Sequence, residues 1–198
     1  MMNYIKKSLA LSTVVTKKMA TQDPLRLEEI KNGLKNRLGN PVGIHMTGIP
    51  LGISTILAIF CYAMTQISVF TFIFKWLMIP EYKLLAGVFL GAIAYTILIV
   101  ITLFATARGS LISYKLYLSL IALTGIVAII FFCASFLSLL LDNISNYTPQ
   151  ISSLLGVIFL LLNCKWLNSS IFYRSVALCL HNRVWRKQIK IKENYYKY

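Results

Sequence analysis

The sequence predicts an all-α integral membrane protein, a four-helix up-down-up-down bundle with basic amphipathic cytoplasmic segments at both ends. Three observations predict it. The 198-residue chain is 58% hydrophobic and only 13% charged, about half the charged fraction of a soluble domain. Its charges are confined to the two ends and to short gaps between long uncharged runs. Once four crossings are drawn, the Lys and Arg residues gather on one side of the implied membrane. One soluble core could not hide this much apolar surface, whereas a bilayer covers it.

Residues 1–48 form a basic cytoplasmic N-terminal region. Lys6 and Lys7 precede an apolar run over 8–15, but that run is short and Lys17 and Lys18 close it. It reads as a segment expected to be retained, amphipathic in character, rather than as a signal peptide. Asp23 followed by Pro24 reads as an N-cap with proline at the first helical position. Leu27, Ile30, Leu34 and Leu38 then recur at helical spacing, with Gly39 placed to stop the helix. Glu28 and Lys31 lie one turn apart on the polar side. The apolar face packs either on the protein's own membrane domain and interface or on a partner.

The four-span domain covers 49–172. Residues 46–74 carry no charge, which places a first span at about 51–74. The uncharged runs 84–107 and 116–141 give spans at about 84–106 and 116–141. About 20 apolar residues cross a bilayer as a helix. Residues 151–164 alone are too short, so the fourth span is extended to about 151–172, with Lys165 snorkelling to the headgroups beside Trp166 and Phe172.

Charge decides between three spans and four. Eight Lys/Arg lie in the N-terminal region, two in the 107–115 loop and eight from 165 onward, against two in the 75–83 loop and none in 142–150. Four spans with both termini inside partition the cations eighteen to two, and three spans would split them evenly. The positive-inside rule selects four, with both termini cytoplasmic. Short connections holding Pro80, Gly109 and Pro149 make neighbouring helices antiparallel.

The cytoplasmic tail, 173–198, is strongly cationic and helps to give the chain its net charge of +14. Ile171, Phe172, Leu178, Val184, Trp185 and Ile189 alternate with basic residues. Arg183, Arg186, Lys187, Lys190 and Lys192 are candidates for docking a partner or anionic lipid headgroups. Basic tails also set topology without any further role. In the second span, Gly87 and Gly91 form G-x-x-x-G, a close-packing face within the bundle or between subunits. Tyr62, Thr65 and Gln66 are the polar residues of the first span, expected to hydrogen-bond within the bundle or to mark a gate or ligand site.

Other function classes are disfavoured. No Asp or Glu lies inside a span, since Glu81 is in a loop and Asp142 at a boundary; coupled transporters rely on such carboxylates. His45 and His181 are far apart and lack acidic neighbours. Cys61, Cys133, Cys164 and Cys179 sit in apolar stretches without metal-ligand spacing and read as buried small hydrophobes. The expectation is a protein without catalytic residues, cofactor or metal.

Four spans between basic ends, over nearly the whole chain, resemble the family of the small membrane subunit (KwaA) of the Kiwa anti-phage defence system. The resemblance implies an oligomeric inner-membrane sensor working with a cytosolic protein partner that engages DNA. Nucleic acid would then be reached only indirectly, through that partner. Two other readings fit the same layout: an immunity protein against a pore-forming bacteriocin, and a small pore or transporter accessory subunit.

Overall fold

The computed structural model describes residues 3–20, 23–38, 48–141 and 147–195. Among them the chain forms seven α-helices: α1 (Asn3–Lys18), α2 (Pro24–Leu38), α3 (Ile49–Trp76), α4 (Leu84–Ala107), α5 (Leu111–Leu141), α6 (Thr148–Leu167) and α7 (Ser170–Tyr195). A 3-10 turn, Glu81–Lys83, joins α3 to α4. Gly39, His45 and Asp142, together with the closing 196–198, lie outside the described residues.

The capping chemistry of α2 is the one its sequence implies. Asp23 accepts the Leu25 amide on Oδ1 at 3.0 Å. Pro24 occupies the first turn, where a missing N–H leaves nothing unsatisfied. Leu27, Leu34 and Leu38 are buried, and the Lys31 ammonium meets the Glu28 carboxylate at 2.7 Å.

Four helices, α3 to α6, are long and apolar enough to cross a membrane. Between 6% and 28% of the most apolar window of each is buried by protein, so most of that surface needs lipid to cover it. These helices fit a multi-pass membrane protein. The span limits move in two places. Helix α5 begins at Leu111, so Lys115 lies inside it as an exposed residue. The fourth span does not reach Phe172, because α6 ends at Leu167. Ser169 instead caps the next helix, its Oγ accepting the Phe172 amide at 3.1 Å. Nor is the extra length required. The 19 residues from Pro149 to Leu167, at ~1.5 Å each, rise ~28 Å, close to the hydrocarbon thickness.

The chain divides into two compact units, Ser54–Ile101 with Leu118–Cys164, and Met1–Ile53 with Thr102–Tyr117 and Lys165–Tyr198. The first is built from α3, α4, α5 and α6. Cys61, Ala128 and Leu160 form its core, with Phe159 against them, and Phe60 stacks on Phe159 at 5.3 Å between centroids. Polar contacts join its helices as well. Ser54 Oγ donates to Asn163 Oδ1 at 2.7 Å, and the Tyr95 and Thr124 hydroxyls lie 2.9 Å apart. With no water to pair them inside a bilayer, such groups must pair with each other.

The second unit contains α1, α2, α7, the starts of α3 and α5 and the ends of α4 and α6. Both α1 and α2 pack on α7. The buried residues Phe172, Val176, Leu180 and Val184 recur every four positions along α7 and make one continuous apolar stripe. At about 2 kcal/mol for each fully buried side chain, this stripe outweighs any single surface charge as the anchor of α7. Tyr114 and Tyr117 of α5 are buried too, Tyr114 bonding Ser8 of α1 at 2.6 Å and Tyr117 the Leu51 carbonyl at 3.4 Å. Trp166 Nε1 donates to the Pro50 carbonyl at 2.8 Å, tying the end of α6 to the start of α3.

Candidate functional site

Helix α7 presents its cations on the polar side of the apolar stripe, and the turn after α4 brings backbone carbonyls to meet them. Gly109 makes that turn possible. Its φ of 82° lies in the left-handed region, and a Cβ there would fall 2.8 Å from the Cys179 carbonyl oxygen and 3.0 Å from Arg183 Cβ. Both the conformation and the close approach demand glycine. With the turn seated against α7, Arg183 Nη1 donates to the Gly109 carbonyl at 2.8 Å and Arg186 Nη2 to the Arg108 carbonyl at 2.9 Å. Lys187 Nζ donates to the Met19 carbonyl just beyond α1.

These contacts divide the five cationic residues singled out in the tail. Arg183, Arg186 and Lys187 bond carbonyls at two helix C-termini, the electronegative ends of the helix dipoles. Lys190 and Lys192 are exposed on the following turns of α7. Thr16, Met19 and Ala20 of the α1 end, Arg108, and Arg183, Arg186, Lys187 and Lys190 of α7 together line a cavity of about 750 Å³. None of its described lining residues is acidic.

The tail's apolar residues also separate. Phe172 and Val184 face the protein interior, whereas Ile171, Trp185 and Ile189 are exposed. Sequence reasoning listed them together as apolar residues alternating with basic ones and passed over Val176 and Leu180, although their four-residue spacing was available as a signal. It also missed Asn163, whose isolated amide in an apolar run marks a buried polar contact.

In the four-helix unit, the glycine pair is occupied by the neighbouring helix. A Cβ at Gly87 would meet Phe74 Cζ at 2.6 Å, and one at Gly91 would meet Phe70 Cζ at 2.6 Å and the Tyr62 hydroxyl at 3.1 Å. Tyr62 stacks on Tyr95 with ring centroids 4.1 Å apart. Thr65 Oγ1 donates to the Cys61 carbonyl at 3.1 Å. The expectation of a bond for Gln66 is not met at its oxygen, for Oε1 is buried with no partner among the described residues.

The cysteines need correction as well. Cys61 and Cys179 are buried, but Cys133 and Cys164 are exposed on α5 and α6, and all four are free thiols. An exposed thiol on an apolar span is compatible with lipid, so sequence polarity alone does not distinguish protein burial from lipid contact. Among the described residues, no group of three or more His, Cys, Asp and Glu is arranged to hold a metal ion. No family model matches the chain, and neither does any curated protein or solved structure.

Proposed function

We propose that this chain is a non-enzymatic membrane sensor or scaffold, inserted in a bacterial inner membrane with both termini cytoplasmic. Its cationic tail recruits a cytosolic effector of acidic surface character. The carrying observation is the division of labour along α7. Three cations bind backbone carbonyls within the fold, while Lys190 and Lys192 continue outward on the same rigid helix. The up-down order draws support from the starts of α3 and α5 and the ends of α4 and α6 belonging to one unit. The eighteen-to-two partition of Lys and Arg supports its orientation.

The resemblance to the Kiwa membrane subunit family supplies a context for such a partner. The bundle would detect phage-induced disturbance of the envelope, as a homo-oligomer, and the effector would engage DNA. Reversal of Lys190 and Lys192 to Glu tests the docking directly. The variant should insert at normal abundance but lose its co-purifying effector, and the wild-type complex should weaken as salt rises, since exposed charges are screened within about 8 Å at physiological ionic strength. Unchanged recruitment by the reversed variant would end the docking reading.

The unpartnered Gln66 Oε1 favours a second reading, an immunity protein that contacts a pore-forming bacteriocin within the bilayer. Under that reading Gln66→Leu abolishes protection and reversal of Lys190 and Lys192 leaves it intact.

A further inference from the structure

The cavity between the end of α1, the α4–α5 turn and α7 has a cationic lining among its described residues. Arg108, Arg183, Arg186, Lys187 and Lys190 line it, and no carboxylate is among its described lining residues. The internal role of three of these cations is to bond carbonyls at the C-terminal ends of α1 and α4. Each helix end carries about half a negative charge. The two ends thus offset only part of the positive charge that Arg108, Arg183, Arg186 and Lys190 bring.

The donors are also held in place. Arg183 and Arg186 each commit one nitrogen to a carbonyl, which fixes the guanidinium plane and leaves further N–H groups of each five-donor fork for a ligand. Oriented guanidinium forks and lysine ammonium groups match the acceptor oxygens of a phosphate group.

We propose that this cavity binds a phosphate group, specifically the phosphodiester headgroup of an anionic phospholipid. Placement favours the lipid over a free phosphate. Arg108 directly follows Ala107, the last residue of a helix apolar enough to cross a membrane, and a span boundary of this kind lies at headgroup depth. The inference rests on the proposed cytoplasmic orientation for its biological setting, but the binding itself does not depend on orientation.

Native mass spectrometry of the full chain in mild detergent tests it, with phosphatidylglycerol, phosphatidylcholine and inorganic phosphate as probes. Phosphatidylglycerol should be retained in preference to phosphatidylcholine. Arg108→Gln with Lys190→Gln should weaken its retention ~25-fold, at ~5-fold for each cation removed. Lys192→Gln, outside the cavity lining, should leave retention unchanged. Equal retention of the two lipids, no loss in the double variant, or saturation by inorganic phosphate without competition from phosphatidylglycerol would each overturn the headgroup assignment. Reporter fusions read orientation separately, so a wrong topology and an absent lipid site give different results.

Discussion

Arg183 donates to the carbonyl of Gly109 at 2.8 Å, across a turn that only glycine can make at φ 82°. A tail residue 74 positions away in sequence thereby seals the C-terminal end of α4. Gly109→Ala should destabilise the protein by at least ~1–2 kcal/mol from the left-handed backbone alone, with the approach to Cys179 adding to it. Arg183→Met should also be destabilising, through loss of a charged hydrogen bond worth ~1.5–3 kcal/mol. Thermal unfolding in detergent measures both, and Lys190→Ala, on the exposed turn, should fall within ~0.5 kcal/mol of wild type.

The glycine pair of α4 makes a different prediction. A side chain at Gly91 strikes Phe70, already 2.6 Å from the position of a Cβ. Gly91→Leu should therefore lower bundle stability by ~1–3 kcal/mol through overpacking. Phe70→Ala in the same chain should recover part of the loss, because neighbouring substitutions couple. An unchanged melting temperature with altered subunit assembly would instead assign the glycine face to an intersubunit contact.

Cys179 supplies a titration. Burial pushes its thiol up to about 11, with Arg186 acting in the opposite direction. The folded state favours the neutral thiol, so its contribution to stability is complete below the unfolded value near 9 and fades as pH rises from there towards 11. In a variant retaining Cys179 alone, maleimide labelling of the folded protein should be slow at neutral pH and accelerate over that range. Rapid labelling at pH 7 in the folded state would show that the thiol is not buried.

Glu28 reports on the α2–α7 contact at the acid end. Its carboxylate accepts from Lys31 Nζ at 2.7 Å and from Gln188 Nε2 at 2.9 Å, and these bonds, Lys31 first, hold its pKa below the ordinary value of 4.5. The contribution is present above 4.5 and is lost as pH falls through the lowered value. The protection of α2 amides from hydrogen exchange, corrected for the intrinsic rate at each pH, should fall on acidification, and Glu28→Gln should remove that change in protection.

The sequence carried the spans because uncharged runs and their flanking lysines report directly on transfer into lipid. It carried the α2 cap because Asp23-Pro24 is a local signal. It did not carry the end of α6, where the requirement for about 20 residues was allowed to override the cap at Ser169. Nor did it reveal that Arg183, Arg186 and Lys187 bond backbone carbonyls, since those carbonyls belong to the ends of α1 and α4 and meet α7 only through long-range packing. Lys190 and Arg186, seen as members of one cationic stretch, differ in role for that reason.

The most direct test of the account is the location of the C-terminus. A dual reporter fused after Tyr198, active as one enzyme in the cytoplasm and as another in the periplasm, should give the cytoplasmic signal alone. A fusion at Glu81 should give the periplasmic one. A C-terminal fusion active only in the periplasm would contradict the four-span orientation, and with it the cytoplasmic effector proposed to dock on α7.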